Sequence, residues 1–114
     1  MFCIVEKTTR KIFATETLEP LAGSYPASVY YIFETEVAQV LGATLTVDQV
    51  NVLAVRTRAL KVEYLLSRTI KTQMDDYPLK IKKQDWKNYR IALYAVLDQA
   101  DPLNPVYPTP PEEL

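Results

Sequence analysis

Short apolar runs open the chain, each closed by a polar stretch. "FCIV" and "KIFAT" are β-prone, and "EKTTR" separates them, so the first fifteen residues are predicted to form a hairpin with a loose loop. Such a hairpin is marginal alone and must pack one face on something else. "LEPLAGSYPAS", residues 18–28, reads as a loop from its two prolines and its glycine. "SVYYIFETEVAQVLG" fits two patterns. Tyr30, Phe33, Val37, Val40 and Leu41 form a helical stripe, which Ser28 and Gly42 would cap. "VYYIF" is β-branched and aromatic and would equally suit a strand. Helix is the preferred reading, and it leaves Tyr31 and Ile32 off the stripe, exposed unless a partner covers them.

Beyond this point the period is helical. "TVDQ", Thr46 to Gln49, has the form of a capping box, and the helix it starts is expected to run to about Thr72, with no glycine or proline in between. A helix of that length spans about 39 Å. Val52, Val55, Ala59, Val62, Leu66 and Ile70 make one apolar stripe, with Val50, Leu53, Thr57, Leu60 and Tyr64 on the opposite face. A helix apolar on both sides must be covered on both sides. Either the rest of the chain covers both, or one stripe meets another chain, a target or a second copy. Pro78 ends the helix, and a third element runs from about Lys82 to Gln99 with Trp86, Tyr89, Leu93 and Val96 on one face. The short connection predicts an antiparallel αα-hairpin.

Five of the last fourteen residues, "DPLNPVYPTPPEEL", are proline. Proline is ordered at little entropic cost because its φ is preset. Residues 102–108 are therefore predicted to lie as an extended strap, with Pro105, Val106, Tyr107 and Pro108 across Trp86 and Tyr89, and Thr109 to Leu114 free. The predicted fold class is α+β in a single domain. An N-terminal β-hairpin and a short helix or strand (1–45) pack on a helical hairpin with a long central helix (46–100), closed by the proline-rich strap and tail (101–114).

Composition narrows the chemistry. Thirteen basic and fourteen acidic residues leave a net charge of −1, which favours neither nucleic acid nor an anionic membrane as partner. No apolar run reaches the ~18 residues of a membrane span, and the opening residues do not read as a secretory signal, so a cytoplasmic site is expected. Histidine is absent, which removes the usual general base and the commonest metal ligand. Cys3 stands alone between Phe2 and Ile4 and reads as a small buried residue. With two glycines there is no phosphate-cradling loop. The expectation is a non-enzymatic protein with no catalytic residues, metal or cofactor.

The stretch "YPLKIKKQDWKNYRIALYAVLDQADPLNPVYPTPP", Tyr77 to Pro111, resembles the phage tail assembly chaperone, or tail fibre assembly, family. In that family a long helix leads into a Pro-Leu turn, then a helix with a Trp-x-x-Tyr-Arg core and a proline-rich ending. Here Pro78 and Leu79 match the turn, Trp86, Tyr89 and Arg90 the core, and Leu93 the segment after it. Asn104, Val106, Pro108, Pro110 and Pro111 match the ending, while Tyr107 stands where the family usually carries tryptophan. Arg90 is either a contact to a phage protein or a structural donor to strap carbonyls.

The resemblance implies a chaperone-like factor acting in the host cytoplasm on a tail, tail fibre or baseplate protein, or a small adaptor that stays in the virion tail. Tyr31 and Ile32 with Val52, Val55, Val62, Leu66 and Ile70 are the candidate partner-binding residues.

Overall fold

The computed structural model describes residues 1–36, 39–70 and 83–111. The Pro78–Leu79 turn, Val37 of the proposed stripe and the last three residues lie outside them. The architecture is α+β. Strands β1 (Phe2–Glu6), β2 (Ile12–Glu16) and β3 (Tyr30–Glu34) precede helices α1 (Val47–Ser67) and α2 (Lys83–Val96). The chain divides into two compact units, Met1–Thr57 and Arg58–Leu114, and α1 contributes its first half to one and its second half to the other.

In the first unit the strands form an antiparallel sheet in the order β2-β1-β3. β1 is central, and this explains its unbroken apolar run: Cys3, Ile4 and Val5 are all fully buried. Burial also raises the Cys3 thiol above its ordinary pKa, keeping it protonated and unreactive. The hairpin loop turns through Arg10 at φ 58°, in the left-handed region. That conformation is held by Arg10 Nε donating to the Leu45 carbonyl, and by the Leu45 N–H donating to the Arg10 carbonyl. β2 carries a bulge: Ile4 pairs Ala14 and Val5 pairs Ile12, so Phe13 is the extra residue.

The helix preferred for residues 28–41 does not form. Tyr30–Glu34 is a strand, paired to β1 along its whole length from Phe2↔Glu34 to Glu6↔Tyr30. Gly42, at φ +80°, turns the chain beside β2, its N–H donating to the Ile12 carbonyl, rather than ending a helix. Five β-branched and aromatic residues gain more from the open edge of β1 than from an isolated helical turn.

α1 starts on the expected capping box. The Gln49 N–H donates to Thr46 Oγ1 at 3.1 Å, while the Thr46 N–H donates to Gln49 Oε1 at 2.8 Å. It ends at Ser67, earlier than Thr72. Its buried line is neither of the two straight stripes. Val50, Ala54, Arg58 and Val62 are buried, with Leu66 half-buried, and Thr69 is buried just beyond the helix. Four-residue steps advance 40° beyond a full turn, so between Val50 and Leu66 this line winds about 160° around the helix. In the first unit Val50 and Ala54 are buried, and Thr57 donates its hydroxyl to the Leu53 carbonyl while accepting the Glu34 N–H.

In the second unit Val62, Trp86, Tyr89, Leu93 and Val96 form one buried cluster, with Leu65, Leu66 and Tyr107 against it. Arg58 of α1 reaches the carbonyls of Leu97 and Gln99 just beyond the end of α2. Among the described residues no helix is long and apolar enough to cross a membrane.

Replacing Thr46 with alanine removes one half of the capping box and should cost about 1 kcal/mol of stability in urea unfolding. The Cys3 thiol should react with a disulfide reagent only after denaturant is added.

Candidate functional site

Parity along the strands assigns each sheet residue to a face. Cys3, Val5, Ile12 and Phe33 share the buried face. Tyr31 belongs with them, stacked on Phe33 at 5.4 Å with the Lys7 ammonium 4.9 Å from its ring centre. The opposite face carries Phe2, Ile4, Glu6, Ala14, Glu16, Tyr30, Ile32 and Glu34. One face packed and one facing solvent is the usual condition of an antiparallel sheet. Only Ile4, in the centre, is fully buried there, while Ile32 is 39% exposed.

An aromatic trio occupies one side of this outer face. Phe13, Tyr25 and Tyr30 lie mutually within 6.3 Å between ring centres. The bulge at Phe13 sends its ring to Tyr30, and Phe13 is 56% exposed. Tyr25 comes from the proline-containing loop, and its hydroxyl donates to Glu16 Oε1 at 2.7 Å. That bond and partial burial hold the Tyr25 phenol protonated above the ordinary tyrosine value. Sequence reasoning misses the trio, because its members come from three segments that only the register brings together.

The residues proposed for partner binding therefore separate. Tyr31 and Ile32 project from opposite faces, and only Ile32 is on the open one. Val52, Val55 and Ile70 are exposed, but Val62 lies in the core of the second unit and Leu66 packs against it. The winding of the buried line removes those two from any interface stripe.

The residues of the C-terminal motif are mostly structural. Trp86, Tyr89 and Leu93 are core, with Trp86 and Tyr89 edge-to-face at 5.7 Å. Arg90 is half-buried. Arg58, not among the candidates, supplies the guanidinium at the end of α2: it donates to the carbonyls of Leu97 at 2.9 Å and Gln99 at 2.8 Å. The Gln99 side chain in turn brackets Val106, accepting its N–H and donating to its carbonyl. Asp101 accepts from Leu103 N and Asn104 Nδ2, which closes the turn between them and lowers its pKa. The Val106 side chain is 73% exposed, Pro108 is half-buried, and Tyr107 packs on the cluster. Among the described residues no group of three or more histidine, cysteine, aspartate or glutamate residues is placed to hold a metal ion.

No protein-family model matches this chain, and neither the curated proteins nor the solved structures contain a match to it.

Arg58→Ala leaves two carbonyls at the end of α2 without their donor and should cost about 3 kcal/mol, read from urea unfolding. Tyr107→Ala should cost about 2 kcal/mol, whereas Val106→Ala should change stability by less than about 0.5 kcal/mol. Desolvation raises Tyr89 and Tyr107 above the ordinary tyrosine value of 10.0, against a smaller opposing effect of Arg68 and Arg58 respectively. The unfolded chain then releases these protons first. Their contribution to stability is complete below about pH 10 and lost as pH rises through the folded-state values, so the Tm should fall in that window. Phenylalanine at both positions should flatten the decline.

Proposed function

We propose that this is a non-enzymatic bacteriophage tail or tail fibre assembly protein, which covers apolar surface of its target until assembly is complete. One observation carries the reading. The residues through which the chain resembles that family, Trp86, Tyr89 and Leu93, are taken up by a core. Exposed apolar side chains in the first unit, Phe13, Ile32, Val52 and Val55, are left for a partner. Scattered exposed hydrophobics need no explanation, but rings grouped on one sheet face, with Ile32 in the same face, form a surface of the kind that partners bury. The second unit supplies the shared scaffold, and the first supplies the contact. The target is a tail, tail fibre or baseplate protein, met in the host cytoplasm during assembly.

Co-expression with a tail fibre protein of the same phage tests this. The fibre protein should be soluble and captured only when the chain is present. The double variant Ile32→Asp/Val55→Asp should lose capture while keeping its own Tm within about 2 °C. Equal fibre solubility without the chain would refute the reading. Mass spectrometry of purified particles separates a chaperone from an adaptor that stays bound: a chaperone leaves at most traces, whereas stoichiometric presence makes the protein a virion component.

A further inference from the structure

Beyond exposure, the outer sheet face has a charge pattern, and the register fixes it. Phe2 pairs Glu16 on one side and Glu34 on the other, so one row across the sheet reads Glu16, Phe2, Glu34. The backbone positions of the two glutamates stand two strand spacings apart, roughly 10 Å, on either side of half-buried Phe2, and the Glu16 carboxylate accepts from the Tyr25 hydroxyl. The next row on the same face is Ala14, Ile4, Ile32, and Glu6 and Tyr30 follow it, with Phe13 beside Tyr30 and the Tyr25 hydroxyl reaching back to Glu16.

The basic side chains of this unit are placed elsewhere, and the Met1 ammonium at the Phe2–Glu34 end of the sheet donates to the Thr35 carbonyl. Lys7 sits over Tyr31 on the buried face, Arg10 is bonded to Leu45, and Arg56 pairs Glu36 at 2.7 Å. The Lys11 carbonyl accepts the Glu6 N–H at the far end of the face, away from the Glu16–Phe2–Glu34 row. Among the described residues neither Glu16 nor Glu34 pairs with a lysine or arginine. Across residues 1–57 the charged side chains are four basic (Lys7, Arg10, Lys11, Arg56) and six acidic (Glu6, Glu16, Glu19, Glu34, Glu36, Asp48), giving 4 − 6 = −2.

We infer that the outer face of the β2-β1-β3 sheet docks an extended polypeptide segment of a partner, in which an arginine or lysine is followed by apolar residues. The basic group lies over the Phe2 ring between Glu16 and Glu34, which combines a cation–π contact with two carboxylates. An arginine suits the site better than a lysine, because its planar guanidinium stacks on the ring while its edges reach outward. The apolar residues cover Ile32 and the rings of Phe13 and Tyr30. An acidic or purely apolar segment would desolvate both carboxylates with no cation beside them, leaving Glu16 only its bond from Tyr25, so the row selects among apolar targets as well as binding them.

This names the partner chemistry of the surface used in the proposed function, and it rests on that surface being a contact. The experiment needs no phage protein, so the two can fail separately. The isotope-labelled full chain is titrated with a short peptide of alternating leucine and arginine, and with its leucine–glutamate counterpart. The arginine peptide should shift resonances of Phe2, Ile4, Phe13 and Ile32, with an affinity that falls as salt rises. The glutamate peptide should not bind. Glu16→Gln/Glu34→Gln should weaken the arginine peptide about tenfold, corresponding to two partly exposed ion pairs. Glutamine preserves an acceptor for Tyr25, and Glu34→Gln alone, at a carboxylate with no bond to lose among the described residues, should give part of the same loss if the double variant is unstable. Equal binding of both peptides, binding of neither, shifts outside this face, or an affinity unchanged in the glutamine variants would each overturn the inference. Peptide binding with no capture of a fibre protein would remove the phage assignment and leave the docking surface standing.

Discussion

Arg58 holds the second unit together at its least replaceable point. The turn that follows a helix leaves carbonyls without regular backbone donors, and just beyond the end of α2 those of Leu97 and Gln99 need a donor from elsewhere in the chain. A guanidinium presents several donors in a fixed plane, and Arg58 uses them on Leu97 and Gln99 at once. The negative end of the α2 dipole favours the same positive charge, which eases the cost of keeping a group that is 7% exposed. Among the described residues Arg58 Nε has no partner, so the arrangement is a compromise rather than a fully satisfied network.

The closing segment beyond Gln99 depends on that anchor. The Gln99 carbonyl is fixed by Arg58, and its side chain then presents both a donor and an acceptor to Val106, as a neighbouring strand residue would. Asp101 and Asn104 close the intervening turn, and Tyr107 comes to rest on the Trp86–Tyr89 cluster. Five prolines in the closing segment remove backbone donors that would otherwise need partners. A segment without sheet or helix can therefore be held by one glutamine and one tyrosine.

Local chemistry is legible in the sequence where one segment decides the outcome. The capping box at Thr46, the apolar face of α2, the burial of Cys3 and the first hairpin all depend on residues close in sequence. Three things are not legible. β3 presents a helical stripe as good as its strand pattern, and only an unpaired edge of β1 decides between them. The buried line of α1 advances by fours, so it drifts across both straight stripes and includes an arginine that an apolar pattern passes over. The aromatic trio depends on a bulge that no turn residue announces. The same physics explains the site residues: a straight stripe puts Val62 and Leu66 at an interface, and the drift of the buried line puts them in the core.

The two units differ in how freely their residues can change. In the second, Trp86, Tyr89, Leu93, Val96, Arg58 and Tyr107 constrain one another, since a change of volume or charge at one leaves a void or an orphaned carbonyl at another. On the outer sheet face of the first, each exposed residue can be replaced without opening the buried side, because parity isolates the two faces. On the proposed function, a fold arranged this way keeps its scaffold fixed while the outer sheet face is fitted to a new partner. The charge row at Phe2 is where such fitting would act most sharply. Reversing the sign of Glu16 or Glu34 changes which segment is accepted and leaves the backbone pairing of β1 untouched.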